Sequence, residues 1–121
     1  MFQVIAQEEN KIEIALDDAL THDEFRQVIH QLESLVSTFG PISVLFDASY
    51  LKTYDFQIIV DEYNFYKSYR DQLHRLAIVS DKRFETFIAG MFKNFIELEF
   101  RTFTPDEIVK ARKWIFPSPL P

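Results

Sequence analysis

The chain contains no cysteine. That absence excludes disulfides, thiolate nucleophiles and cysteine metal sites, and it suits a reducing, cytoplasmic setting. Glycine occurs only twice, so no glycine-rich phosphate cradle exists. No apolar run approaches the roughly 18 residues of a membrane-spanning helix. The start, Met1-Phe2-Gln3-Val4, lacks the charged segment and long apolar core of a signal peptide. Positive charge is in deficit: 13 basic residues stand against 19 acidic ones, a formal net charge of −6. The basic residues are scattered, so neither nucleic acid nor an anionic membrane surface is an expected partner. Histidine is scarce as well. His22, His30 and His74 share no ligand spacing, and no metal site or cofactor is expected.

What is present in excess is aromatic surface, with 13 phenylalanines and five tyrosines among 121 residues. The length fits one domain, placed over residues 1–116, with 117–121 a Pro-rich tail carrying Pro117, Pro119 and Pro121.

The stretch 41–70 organises the rest. Ile42-Ser43-Val44-Leu45-Phe46 has apolar side chains on both parities, the signature of an inner strand covered on both faces. Leu76-Ala77-Ile78-Val79 reads as a second inner strand. Lys11 to Leu16 alternates, with Ile12, Ile14 and Leu16 inward, and joins a first strand at Phe2 to Ala6 through a Glu9-Asn10 turn. Residues 96–101 alternate strictly and carry charge on one face, which suits a protected edge strand.

Four helices fall between and after these strands. Thr21 and Glu24 have capping-box spacing, and the apolar stripe from Phe25 to Phe39 follows until Gly40-Pro41 stops it. A second helix is expected over 54–70, capped by Thr53 or Asp55. A third, over 84–95, follows Asp81 and is filled with Phe and Met. Thr104-Pro105-Asp106-Glu107 opens the last, with Ile108, Ala111 and Ile115 inward and Trp114 at the margin. The order is β-β-α-β-α-β-α-β-α, an α/β fold on a five-stranded, parallel-rich mixed sheet.

The second helix has too much apolar surface for one face. Tyr54, Ile58, Phe65 and Tyr69 form one set, and Phe56, Ile59, Val60, Tyr63 and Tyr66 another. Together they span about 240° of the circumference, against a stripe of about 100° on an ordinary surface helix. One set faces the sheet. The other needs a neighbouring helix, a second copy of the chain or an apolar ligand. A homodimer is one expectation. A groove between this helix and the 84–95 helix is another, lined by Tyr54, Ile58, Phe65, Tyr69, Phe87 and Met91 and suited to a small apolar molecule such as a lipid or fatty acid.

An enzyme is not expected. Asp47 ends a buried strand, but local sequence places no histidine, lysine or second carboxylate beside it. Asp47, Asp55 and Asp81 lie near strand ends, where each also suits a turn or a helix cap.

Three segments carry a family likeness: Val44-Leu45-Phe46-Asp47, then Leu76-Ala77-Ile78-Val79-Ser80-Asp81-Lys82, then Phe100-Arg101-Thr102-Phe103 before a capped helix. In this order they resemble the SpoIIAA-like branch of the STAS superfamily, which includes anti-sigma factor antagonists and the cytoplasmic domains of sulfate transporters. The resemblance implies strands ordered as in the sequence, with helices mainly on one face. It also implies a regulatory protein partner. The antagonists carry an Asp-Ser-Ser-Gly-like turn after the third strand, where phosphorylation of serine controls partner binding. The matching positions here are Asp55-Phe56-Gln57-Ile58, with serine and glycine both missing. A regulatory turn would then rest on Asp47, Ser49 and Thr53. The standalone branch of the family looks closer and suggests an apolar ligand with the two central helices able to open.

Overall fold

The computed structural model describes residues 1–55, 57–81 and 99–117, without the side chains of 59–63, 66 and 70. Strand β1 (Phe2–Glu8) turns back into β2 (Lys11–Leu16) as an antiparallel hairpin. Glu9, at φ 52°, takes the left-handed position in that turn, rather than the more tolerant Asn10. Asn10 instead donates through its side-chain amide to the Pro41 carbonyl at 2.9 Å, tying the hairpin to the entry of the next strand. Strands β4 (Ile42–Asp47), β6 (Leu73–Val79) and β7 (Glu99–Phe103) complete a five-stranded sheet in the order β1-β2-β4-β6-β7. All neighbours but the first pair are parallel. The sequential order and the parallel bias agree with expectation. The described part of β7 starts at Glu99, and among the described residues it is the edge strand that its alternation implied.

Two short strands did not announce themselves. β3 (Asp18–Leu20) and β5 (Leu51–Tyr54) pair in parallel beside the main sheet. Runs of three and four residues are too short to show a period. Their ends are fixed by the Asp18 amide donating to the Tyr50 carbonyl at 3.0 Å and the Asp55 amide donating to Leu20 at 3.0 Å.

Helix α1 (His22–Phe39) begins as its capping signal requires. The Glu24 amide donates to Thr21 Oγ1 at 3.1 Å. Glu24 does not complete the box on the Thr21 amide. Its carboxylate meets the Met1 amino group at 2.8 Å, which holds its pKa below the usual carboxylate value. Gly40, at φ 80°, closes the helix by donating to the Val36 carbonyl. Helix α2 (Gln57–Tyr69) starts three residues later than its apolar spacing implied, because Tyr54 is taken into β5. Asp55, not Thr53, supplies the cap: its Oδ1 accepts from the Gln57 amide at 3.1 Å. Helix α3 (Ile108–Ile115) follows a short 3₁₀ turn at Pro105–Glu107. There the Thr104 amide donates to Glu107 Oε1 at 2.9 Å.

Two apolar layers sandwich the sheet. On one face, Ile12, Ile14, Val44, Phe46, Leu76 and Ile78 pack against Phe25, Val28, Leu32 and Leu35 of α1 and Ile58 and Phe65 of α2. On the other, Leu45, Ala77 and Val79 pack against Ala111 and Ile115 of α3. Three helices are therefore seen among the described residues, two on one face and one on the opposite face. The helix expected over 84–95 lies outside the described residues.

Candidate functional site

Strands β2, β4, β6 and β7 all run the same way, so their carboxyl ends share one edge of the sheet, the usual place for sites in open α/β folds. The turn after β4 stands there. Asp47 Oδ1 accepts from the Ser49 amide at 3.0 Å and also from the Ser49 hydroxyl. This is an Asx-type turn, in which the side chain replaces a backbone partner. The Ala48 amide donates across to the Val79 carbonyl at 2.7 Å, and the Leu51 amide closes the turn on Ala48 at 3.2 Å. Tyr50 is thrust outward, 75 % exposed, while Leu51 is buried beneath it. The structure thus brings Asp47 and Ser49 into direct contact. Thr53 lies farther along, exposed on β5.

Behind this edge lies a pair that sequence reasoning missed. Glu13 is 2 % exposed in the middle of β2. Arg112 of α3 donates to both of its carboxylate oxygens, at 2.9 and 3.0 Å, across 99 residues of sequence. The guanidinium pKa is raised chiefly by those hydrogen bonds to Glu13, with the charge of Asp47 adding to the effect. Alternation made Glu13 look solvent-facing. The available signal was its neighbour in the sheet. A strand buried on both faces, such as β4, implies cover on the second face of β2 as well.

Helices α1 and α2 leave a cleft between them, about 470 Å³ in volume, lined by His22, Arg26, Ile29, His30, Glu33, Gln57, Asn64, Phe65, Ser68 and Tyr69. The Tyr69 hydroxyl donates to Glu33 Oε2 at 2.7 Å, and this bond pushes the phenol pKa above its ordinary value. The Phe65 and Tyr69 rings stack with centroids 4.9 Å apart. His30 Nδ1 stands 3.8 Å from the other Glu33 oxygen.

Of the residues expected to line an apolar groove, Ile58 and Phe65 are buried in the core under α1 and α2. Tyr54 and Tyr69 are half-buried against that core. Phe87 and Met91 lie outside the described residues. Tyr54, Ile58, Phe65 and Tyr69 therefore face the core, and the described cleft lies on the α1 side of α2. Among the described residues, no three His, Asp or Glu side chains are placed to share a metal ion. No helix of the described residues is long and apolar enough to cross a membrane.

Comparison with known proteins bears on this geometry. A family profile described as SpoIIAA-like matches residues 11–116. No curated protein matches the chain. Among solved structures, an uncharacterised protein from Shewanella loihica with a SpoIIAA-like fold superimposes with a TM-score of 0.72 at 19 % identity. The match covers 95 % of this chain and 92 % of that one. The anti-sigma factor antagonist SpoIIAA, in its unphosphorylated form, superimposes with a TM-score of 0.56 at 13 % identity, covering 91 % of this chain and 96 % of its own. At such identities the two structures speak for the fold alone.

Proposed function

The chain belongs to the SpoIIAA-like family, and on that premise we propose that it is a non-catalytic regulatory module that works by binding a protein partner. The contact face is the carboxyl edge of the sheet, centred on the turn at 47–53. The observation that carries this reading is the local construction of that turn within a family fold. Asp47 and Ser49 lock it, and Tyr50 is presented to solvent on a buried anchor, Leu51. An exposed aromatic on a rigid support is the type of residue that dominates interface energies.

The family's phospho-acceptor turn is replaced here. Asp55 is committed to capping α2, and Ile58, at the position of the family's glycine, is 4 % exposed in the core. Any control by charge then falls to the hydroxyls nearby. A negative charge on Ser49 would confront Asp47 and open the turn by like-charge repulsion. Thr53 is exposed and could take such a charge without unfolding its strand.

The test is affinity capture from the native host with wild type, Tyr50→Ala and Thr53→Glu. A stoichiometric protein partner is expected for wild type and is lost from both variants, whose circular dichroism stays native. Capture of the same partner by all three would remove the turn from the interface. Capture of none by wild type would remove the regulatory reading itself.

A further inference from the structure

We propose that the cleft between α1 and α2 binds a small aromatic carboxylate. Its volume of about 470 Å³ lies within the range of small-molecule sites. Its apolar lining is Ile29 and Tyr69, with the Tyr69 ring stacked on a buried Phe65. A planar hydrocarbon body fits against Ile29 and the open side of the Tyr69 ring.

The charges along the cleft are ordered. Arg26 and His22 line the end near the start of α1, and Gln57 brings the start of α2 to the same cleft. Helix amino ends add partial positive charge there. Arg26 makes no ion pair or hydrogen bond with the other described residues, in a chain that is acidic overall. Glu33 lies seven residues beyond Arg26 on the same helix, about 10 Å along its axis. There it holds the Tyr69 hydroxyl and faces His30. An anion at the Arg26 end, a ring against Ile29 and Tyr69, and a donor directed to Glu33 would satisfy all three regions at once. Gln57, Asn64 and Ser68 supply neutral polar contacts along the α2 wall.

This site does not depend on the turn at 47–53 or on a protein partner. The probe is indole-3-acetate, which has a carboxylate, a flat ring and one ring N–H. Its neutral control is indole-3-acetamide. Amide chemical shifts are followed during titration of wild type, Arg26→Gln and Arg101→Gln, the last on the opposite face of the sheet. We expect saturable shifts confined to α1 and α2, with a Kd on the order of 0.1–1 mM for a ligand of this size. Arg26→Gln and the neutral amide should each weaken binding about tenfold or more, through loss of the charge-assisted pair. Arg101→Gln should change nothing. Absence of saturable shifts would overturn the proposal. Equal affinity for Arg26→Gln would overturn it too, and equal affinity for the amide would reassign the cleft to neutral apolar molecules.

Discussion

At the scale of single residues, the contact with most consequence on the helix face is the bond from Tyr69 to Glu33. The neutral phenol donates to the carboxylate, whereas an ionised phenol would face it as a like charge. The folded pKa is thus raised above 10, the value of a free tyrosine. The sign of the linkage follows. The contribution to stability is fully present below pH 10 and is lost as pH rises through the higher folded pKa. Titration followed by tyrosinate absorbance should show a late component above pH 10, and Glu33→Gln should move it back toward that value. An unchanged profile in Glu33→Gln would place the hydroxyl elsewhere. Sequence spacing assigned Tyr69 to a helix face, and the groove reading took that face as the one left uncovered, whereas the structure packs it against the core. Two apolar sets of similar size gave no asymmetry to decide it. The choice fell to α1, whose arrival at α2 is a tertiary event.

At the scale of elements, the strongly patterned segments were legible and the weakly patterned ones were not. Helix α1 has a capping threonine, a regular stripe and a Gly-Pro stop, and the structure uses all three. Strands β4 and β6 declared double-sided burial and received it from different helices. Strands β3 and β5 carry no periodic signal, and their pairing depends on the turns that bring them together. Strand β2 misled by half. Its alternation correctly placed Ile12 and Ile14 but hid the role of Glu13, whose partner arrives from the far end of the chain. That partner makes α3 more than an apolar lid. Removing the guanidinium in Arg112→Ala would leave a carboxylate buried in the middle of the sheet. Breaking a fully buried pair costs about 3–5 kcal/mol. The Arg112 side chain is 46 % exposed, so water can reach the vacated position. A loss of about 2 kcal/mol is therefore expected, read as a lower urea midpoint at constant slope. Arg112→Lys should recover only part, because an ammonium cannot form two parallel bonds to one carboxylate. A midpoint unchanged in Arg112→Ala would mean that the pair contributes nothing to holding α3.

At the scale of the whole molecule, two layers with separate helices share one sheet, and the open question is whether they melt together. The layers alternate residue by residue along the same strands. Val44 and Phe46 face α1 and α2 while Leu45 faces α3, and Leu76 and Ile78 alternate with Ala77 and Val79. Neither layer can lose its helices without exposing strands that also floor the other. This geometry argues for one cooperative unit, as is usual for single domains of this size. The chain contains a natural reporter for the α3 layer. Trp114, its one tryptophan, sits on α3 against the guanidinium groups of Arg75 and Arg101, whose central carbons are 5.1 and 4.9 Å from the ring centroid. Its fluorescence reports the α3 face alone, whereas far-ultraviolet circular dichroism is weighted toward the longer helices of the other face. The two urea transitions are expected to coincide. A fluorescence midpoint lower by about 0.5 M or more would show that α3 leaves first, and the sheet would then count as two coupled units rather than one.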